Sequence, residues 1–112
     1  MTSKERELLR KADGEWEMKD SQGHVSVDFE DNTLSGSINV FNHEGEIADI
    51  DHIDTKNNKI HLVVEGVYDE DGMDGKLVLE PHKKDQTYIE GEYDIHDDDI
   101  EFDANRVQRY RY

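Results

Sequence analysis

The chain contains no cysteine, which excludes disulfide bonds, thiolate metal sites and cysteine nucleophiles. It also has no run that approaches the roughly 18 consecutive apolar residues of a membrane-spanning helix. The first fifteen residues are charged and lack the apolar core of a signal peptide. These absences predict a soluble protein of a reducing compartment, the cytoplasm, with no membrane partner.

Basic residues are scarce in this sequence. Thirteen lysines and arginines stand against twenty-nine aspartates and glutamates, which gives a formal net charge of −16. Because nucleic-acid affinity comes largely from basic side chains that neutralise phosphates, this balance argues against a nucleic-acid partner. The acidity fits high solubility, a high-salt host, or a surface that meets a basic protein partner.

Apolar residues are also few, at 33% of the 112 residues, a share close to that of disordered chains. They recur periodically, however, which a solvated tail has no reason to show. The length fits one domain spanning residues 1–112. The sequence therefore predicts a folded protein with a small core.

Residues 2–12 predict a short helix. Thr2 and Glu5 form a T-x-x-E capping box, and Gly14 stands just beyond the expected end. The apolar face of this helix is narrow and comprises Leu8, Leu9 and Ala12. Because so short a helix is marginal alone, we expect it to lie against a larger body.

From Gly14 onward, apolar and polar residues alternate, which is typical of half-buried strands. The alternation marks eight strands within 14–107, separated by turn-forming segments at 20–23, 30–33, 42–45, 56–59, 69–75, 81–86 and 96–99. A bulge near Ala48–Asp51 would restore the alternation where 45–53 breaks it. With no helix between strands, parallel crossovers are excluded and an antiparallel meander follows.

Eight amphipathic strands in sequence order can bury one apolar face in a closed barrel or in a two-sheet sandwich. Gly36, Gly66 and Gly91 favour the barrel, because each has the inward parity of its strand, where glycine permits a sharp bend. We therefore predict an all-β fold: an eight-stranded antiparallel up-and-down barrel, with a short N-terminal helix across one end and a tail at 108–112.

Arg106 occupies the next inward-facing position of the last strand after Phe102 and Ala104, where the alternation predicts an apolar residue. A closed barrel pairs its first and last strands, which would place the Arg106 guanidinium over the indole of Trp16. A desolvated cation–π contact of this kind contributes up to about 2 kcal/mol. Alternatively, the strand ends at Asn105 and Arg106 is solvated.

A short helix leading into Gly-x-Trp, a meander of eight strands and an arginine near the end of the last strand resemble the lipocalin and wider calycin barrels. The matching residues are Gly14, Trp16 and Arg106. The resemblance implies that these residues close the barrel and that its mouth admits a small apolar molecule. Typical lipocalins are longer, secreted and often disulfide-bonded, whereas this chain is short and free of cysteine.

The sequence thus predicts a non-enzymatic binding protein, a monomer or a dimer, with a small apolar ligand in the barrel interior. The residues expected to enclose that ligand are Val27, Phe29, Ile38, Leu62, Leu77, Tyr93 and Phe102. Eight-stranded barrels can instead be filled by their own side chains. The alternative is then an acidic protein-interaction module whose outer surface meets a basic partner.

No catalytic, cofactor or metal motif is evident. The sequence has neither G-x-S-x-G nor a glycine-rich phosphate loop before a helix. Its six histidines show no H-x-H or H-x₃-H spacing, and His52 beside Asp49, Asp51 and Asp54 comes closest to a ligand set. Glu90, Glu92 and Asp94 share an outward face, which predicts solvated carboxylates rather than a general acid. We therefore expect no enzymatic activity, no cofactor and no metal.

Overall fold

A computed structural model of the protein describes residues 1–20, 22–40, 43–66, 74–95 and 98–108. In these residues one helix precedes eight strands, in the order α1 (Ser3–Ala12), β1 (Gly14–Met18), β2 (His24–Glu30), β3 (Thr33–Val40), β4 (His43–Asp54), β5 (Lys59–Gly66), β6 (Gly75–Pro81), β7 (Tyr88–Ile95) and β8 (Asp98–Gln108). Each strand pairs antiparallel with its sequence neighbours, and β8 pairs with β1. The predicted closed eight-stranded antiparallel barrel with an N-terminal helix is confirmed.

The helix begins where its capping box predicts. Thr2 Oγ1 accepts a hydrogen bond from the Glu5 N–H at 3.1 Å, and Glu5 Oε1 accepts one from the Thr2 N–H at 2.8 Å. The expected apolar face is buried and packs against β2 and β6 at one end of the barrel, which we call the helix end. No helix among the described residues has the length and hydropathy to cross a membrane.

The strands bury alternate residues, as the sequence pattern predicts. Along β1, β2 and β5 every second residue is buried, while the residues between them, which are charged or polar except for Val63, are exposed or half-buried. The expected bulge is present in β4, whose register against β5 shifts between Ile47 and Asp49 and again between Ile50 and His52. A single interior therefore holds the apolar core of the described strands.

Several strands extend into the predicted turns, and β4 and β8 do so furthest. β4 begins at His43 and β8 begins at Asp98, so strands replace part of the turns predicted at 42–45 and 96–99. The ladders explain this correction, because Val40 pairs with His43 and Ile95 pairs with Asp98. β8 also includes Gln108, the first residue of the predicted tail. The remainder of that tail and most of the predicted turn at 69–75 lie outside the described residues.

Glycine permits close approach of atoms from a neighbouring strand at two of the predicted positions. Gly36 has a φ of 148°, and a Cβ there would lie 1.9 Å from the backbone oxygen of Ser26 on β2. A Cβ at Gly91 would lie 2.1 Å from Cζ of the Phe102 ring, which covers this glycine from β8. The first conflict is with backbone, whereas the second is with the far end of a side chain.

Replacing Gly36 by alanine is therefore expected to destabilise the barrel more than replacing Gly91. Overpacking costs about 1–3 kcal/mol, and a positive φ unsuited to alanine adds about as much again, so we expect a loss of about 3 kcal/mol or more for Gly36→Ala. For Gly91→Ala we expect about 1 kcal/mol, because the Phe102 side chain is only partly buried and can shift away by a change in χ1. Urea unfolding followed by circular dichroism measures both, with the exposed Ser35→Ala as control. Equal losses at the two glycines would contradict this account.

Candidate functional site

Seven residues were expected to enclose an interior ligand, and the structure places all of them on inward positions of their strands. Six of them are at most 6% exposed and belong to the closed core: Val27, Phe29, Ile38, Leu62, Leu77 and Tyr93. Phe102 is different, because it is only partly buried and lines a cavity. The structure thus separates Phe102 from the other six.

Arg106 lies where barrel closure predicts. β1 pairs Trp16 with Arg106, and the guanidinium carbon lies 4.2 Å from the centroid of the Trp16 ring. The indole is 1% exposed, and its Nε1–H donates to the Ala12 carbonyl at 2.8 Å. Gly14, which opens β1 with a φ of 131°, allows the chain to turn from the helix into this strand.

Arg106 also makes contacts that the sequence did not suggest. Its Nε donates to the carbonyl of Gln86 at 2.8 Å and its Nη2 to the carbonyl of Lys11 at 2.7 Å. Its Nη1 donates to the carbonyl of Asp13. One side chain therefore joins the end of α1, the segment between β6 and β7, and the first strand. Backbone acceptors carry no residue-type signal, so no pattern in the sequence could have revealed these bonds.

The pairing of β8 with β1 covers only part of β8. It runs from Gln108 to Ala104, and the Lys19 N–H extends it by donating to the Asp103 carbonyl at 3.1 Å. Asp98–Phe102, which we call the β8 edge, pairs with β7 and has no partner strand on its other side within the described residues. β1 and β8 are thus hydrogen-bonded to each other at the helix end of the barrel, whereas the β8 edge is not paired with β1.

A cavity of about 470 Å³ lies at this unpaired seam. Its walls include side chains from both the inner and the outer face of the sheet. Both faces contribute because no strand of the described residues pairs with the β8 edge on its β1 side and separates them. We call it the seam cavity. Its apolar walls are formed by Met18, Val40, Val78, Tyr88, Ile100 and Phe102, and its charged walls by Asp20, Lys59, Glu80, Glu90, Glu92, Glu101 and Asp103.

The carboxylates of the seam cavity stand directly opposite one another on β6, β7 and β8. Glu90 faces Glu80 on one side and Asp103 on the other, and Glu92 faces Glu101. Like charges directly opposite across strands are destabilising. The arrangement therefore stores repulsion that a bound cation would relieve.

Glu92 reports this repulsion most directly. The negative charge of Asp99, a side-chain hydrogen bond with Asp99 and partial loss of solvent raise the pKa of Glu92, and the charge of Glu101 adds to the effect. Sequence reasoning correctly put Glu92 on an outward face but treated it as an ordinary solvated carboxylate. Its neighbours on β8 are set by register, which alternation alone does not reveal.

Two lysines form ion pairs with two of the cavity carboxylates. Lys59 Nζ lies 3.9 Å from Glu80 Oε1, and Lys19 Nζ lies 4.0 Å from Asp103 Oδ2. Both pairs are partly exposed, and such pairs contribute little to stability. The lysines therefore offset part of the negative charge at Glu80 and Asp103.

The histidines do not assemble a metal site among the described residues, in which no group of three or more His, Asp or Glu side chains is arranged to hold a metal ion. His52 and His61 instead stack on the outer face of β4 and β5, with ring centroids 4.0 Å apart and planes inclined by 14°. His52 Nδ1 lies 2.8 Å from Asp51 Oδ2. Burial, and then the charge of His52, lower the pKa of His61.

Comparison of the chain with protein-family models, with curated proteins and with solved structures finds no match in any of the three. The likeness to lipocalin and calycin barrels therefore depends on the strand order and on Gly14, Trp16 and Arg106, and it stays a prediction. Function has to be inferred from the chemistry of the site itself.

Arg106→Lys is expected to lower the free energy of unfolding by about 2–3 kcal/mol, because one ammonium cannot span carbonyls that the guanidinium fork reaches together. Thermal and urea unfolding measure the change. Arg10→Lys is the matched control, since Arg10 is exposed on the helix, and it should alter stability by less than about 0.5 kcal/mol. Similar losses in the two variants would show that the three carbonyl bonds of Arg106 are unimportant.

The stacked histidines make stability depend on pH. Because the pKa of His61 is lowered on folding, the unfolded chain binds its proton more readily, and the contribution is lost as pH falls from about 6.5 through the folded pKa. His52→Gln should raise the pKa of His61 toward its ordinary value, as followed by NMR titration of the ring protons. The exposed His24→Gln should leave it unchanged. An unaltered His61 titration in His52→Gln would mean that burial alone lowers this pKa.

Proposed function

We propose that this protein is a non-enzymatic binding module that captures a basic segment of a partner protein at the seam cavity. One observation carries the proposal: a single cavity of about 470 Å³ combines facing carboxylates with half-buried apolar side chains. This is the alternative that the acidic composition suggested, now attached to a specific surface. The absence of any catalytic motif in the sequence supports the non-enzymatic part.

The mixed lining matches the chemistry of lysine and arginine side chains. Each has an apolar stem and a cationic end, and buries the first while keeping the second near water or an acid. Val78 and Phe102 offer apolar surface to the stem, and Glu90 and Glu92 offer carboxylates to the cation. Hydrogen bonds between an ionised donor and a carboxylate are about twice as strong as neutral ones.

The charge of the whole molecule acts in the same direction. A net charge of −16 attracts a basic partner over long range and speeds its association. On contact, a cation beside Glu92 would offset the repulsion from Asp99 that raises the pKa of this glutamate. Binding should therefore weaken as salt screens these charges.

A small apolar ligand stays the second candidate. Ile100 and Phe102 favour it, because both are only partly buried and line the cavity. A purely apolar ligand, however, would remove water from Glu90 and Glu92 without supplying a partner, which is costly for charged groups. A ligand with both apolar surface and positive charge matches the apolar and the charged walls of the cavity, and is therefore the better fit.

The test measures calorimetric binding of a short synthetic peptide in which lysine alternates with leucine. The site variant Glu90→Gln, Glu92→Gln, Glu101→Gln should bind roughly tenfold more weakly than the parent protein, since it loses three charge contacts. The control variant Glu15→Gln, Glu46→Gln, Glu65→Gln removes the same charge from exposed positions outside the cavity and should bind almost normally.

If the site variant and the control variant both bind the peptide more weakly by the same factor, net charge alone explains the binding and the proposal is wrong. The proposal is also wrong if the parent protein does not bind the peptide at low salt. A peptide with glutamate in place of lysine should not bind. If an uncharged apolar compound shifts the methyl resonances of Ile100 while the lysine peptide does not, the apolar-ligand hypothesis replaces this one.

A further inference from the structure

The β8 edge presents backbone groups as well as side chains at the seam. The Asp103 carbonyl accepts from Lys19 on the β1 side, whereas the Arg106 N–H donates to the Thr87 carbonyl at 2.9 Å on the β7 side. In an antiparallel ladder, successive residues direct their backbone groups to opposite neighbours. Asp99 and Glu101 share the parity of Asp103, so their N–H and C=O groups point toward the seam.

No strand of the described residues bonds to those groups, because the β1 pairing ends before it reaches them. Asp99 and Glu101 are also exposed residues. A row of available N–H and C=O groups at a sheet edge is a template for another strand. The β8 edge offers two donors and two acceptors in register.

Side chains along the β8 edge alternate in character. Ile100 and Phe102 lie on the inner face and are partly buried, while Asp99 and Glu101 lie on the outer face and are exposed. Residues directly opposite in paired strands have their side chains on the same face. A strand added here would meet apolar neighbours on one face and carboxylates on the other.

We propose that the basic segment binds as an extended strand added antiparallel to the β8 edge, with apolar residues turned into the seam cavity and lysine or arginine residues turned toward Asp99 and Glu101. The proposal depends on the proposed function and specifies how the segment is held. A second copy of the edge is a poor occupant, since Asp99 and Glu101 would then face carboxylates of the same kind.

The register of the added strand determines which peptide residues form backbone hydrogen bonds with the β8 edge. Peptide residues opposite Asp99 and Glu101 exchange backbone hydrogen bonds with them, and these are the residues whose side chains point outward, namely the lysines. The leucine N–H groups face away from β8. Methylating the backbone nitrogens of the lysines should therefore block pairing, while methylating those of the leucines should spare it.

The experiment compares calorimetric binding of the parent lysine–leucine peptide with its two N-methylated isomers, which have the same composition and number of methyl groups. The lysine-methylated isomer should bind roughly tenfold more weakly, and the leucine-methylated isomer should bind like the parent. Hydrogen exchange provides a second measurement: the parent peptide should slow exchange of the Asp99 and Glu101 amides.

Each outcome decides between the two proposals. If both isomers bind like the parent, or both lose binding equally, side chains alone hold the peptide and the added strand is wrong while the proposed function stands. Selective loss in the leucine-methylated isomer would exclude the antiparallel register. If the parent peptide does not bind, or if the Glu90, Glu92 and Glu101 variant binds it normally, the proposed function fails as well.

Discussion

The guanidinium of Arg106 lies where the first and last strands of the barrel meet the end of the helix. It stacks on Trp16 of the first strand and donates to carbonyls at the end of α1 and before β7. Carbonyls at a helix C-terminus lack intrahelical partners and carry partial negative charge, so a cation there satisfies them in two ways. The helix, the first strand and the last strand are thereby held together at one end.

β1 and β8 pair at the helix end of the barrel, but they do not pair along the β8 edge. β1 is five residues long, whereas β8 has eleven, so the two strands cannot pair along the whole of β8. The surplus length of β8 forms the unpaired edge and one wall of the seam cavity. The contacts of Arg106 and the proposed binding surface therefore lie at different ends of β8. The proposed partner would bind without displacing the contacts of Arg106.

Periodicity predicted the strands and their inward residues, and the glycines at inward positions favoured a closed barrel over a sandwich. The bulge in β4 followed from the break in alternation, whereas the contact of Trp16 with Arg106 was one of two alternatives, because it also depends on barrel closure and on where β8 ends. The candidate site did not follow. It depends on how far β1 extends beside β8 and on which carboxylates meet across β6, β7 and β8, and these are matters of strand length and register. Glu92 illustrates the limit, since its outward face was evident but its neighbour Asp99 was not.

The span of the contacts made by Arg106 has a consequence for the order of folding. Consecutive strands form hairpins between residues close in sequence, while the bonds from Arg106 to Lys11 and Asp13 join residues 95 and 93 positions apart. The entropy lost in closing so long a loop must be spent before those bonds form. We therefore expect the meander of consecutive strands to assemble first, and the pairing of the first strand with the last to form in the final step of folding.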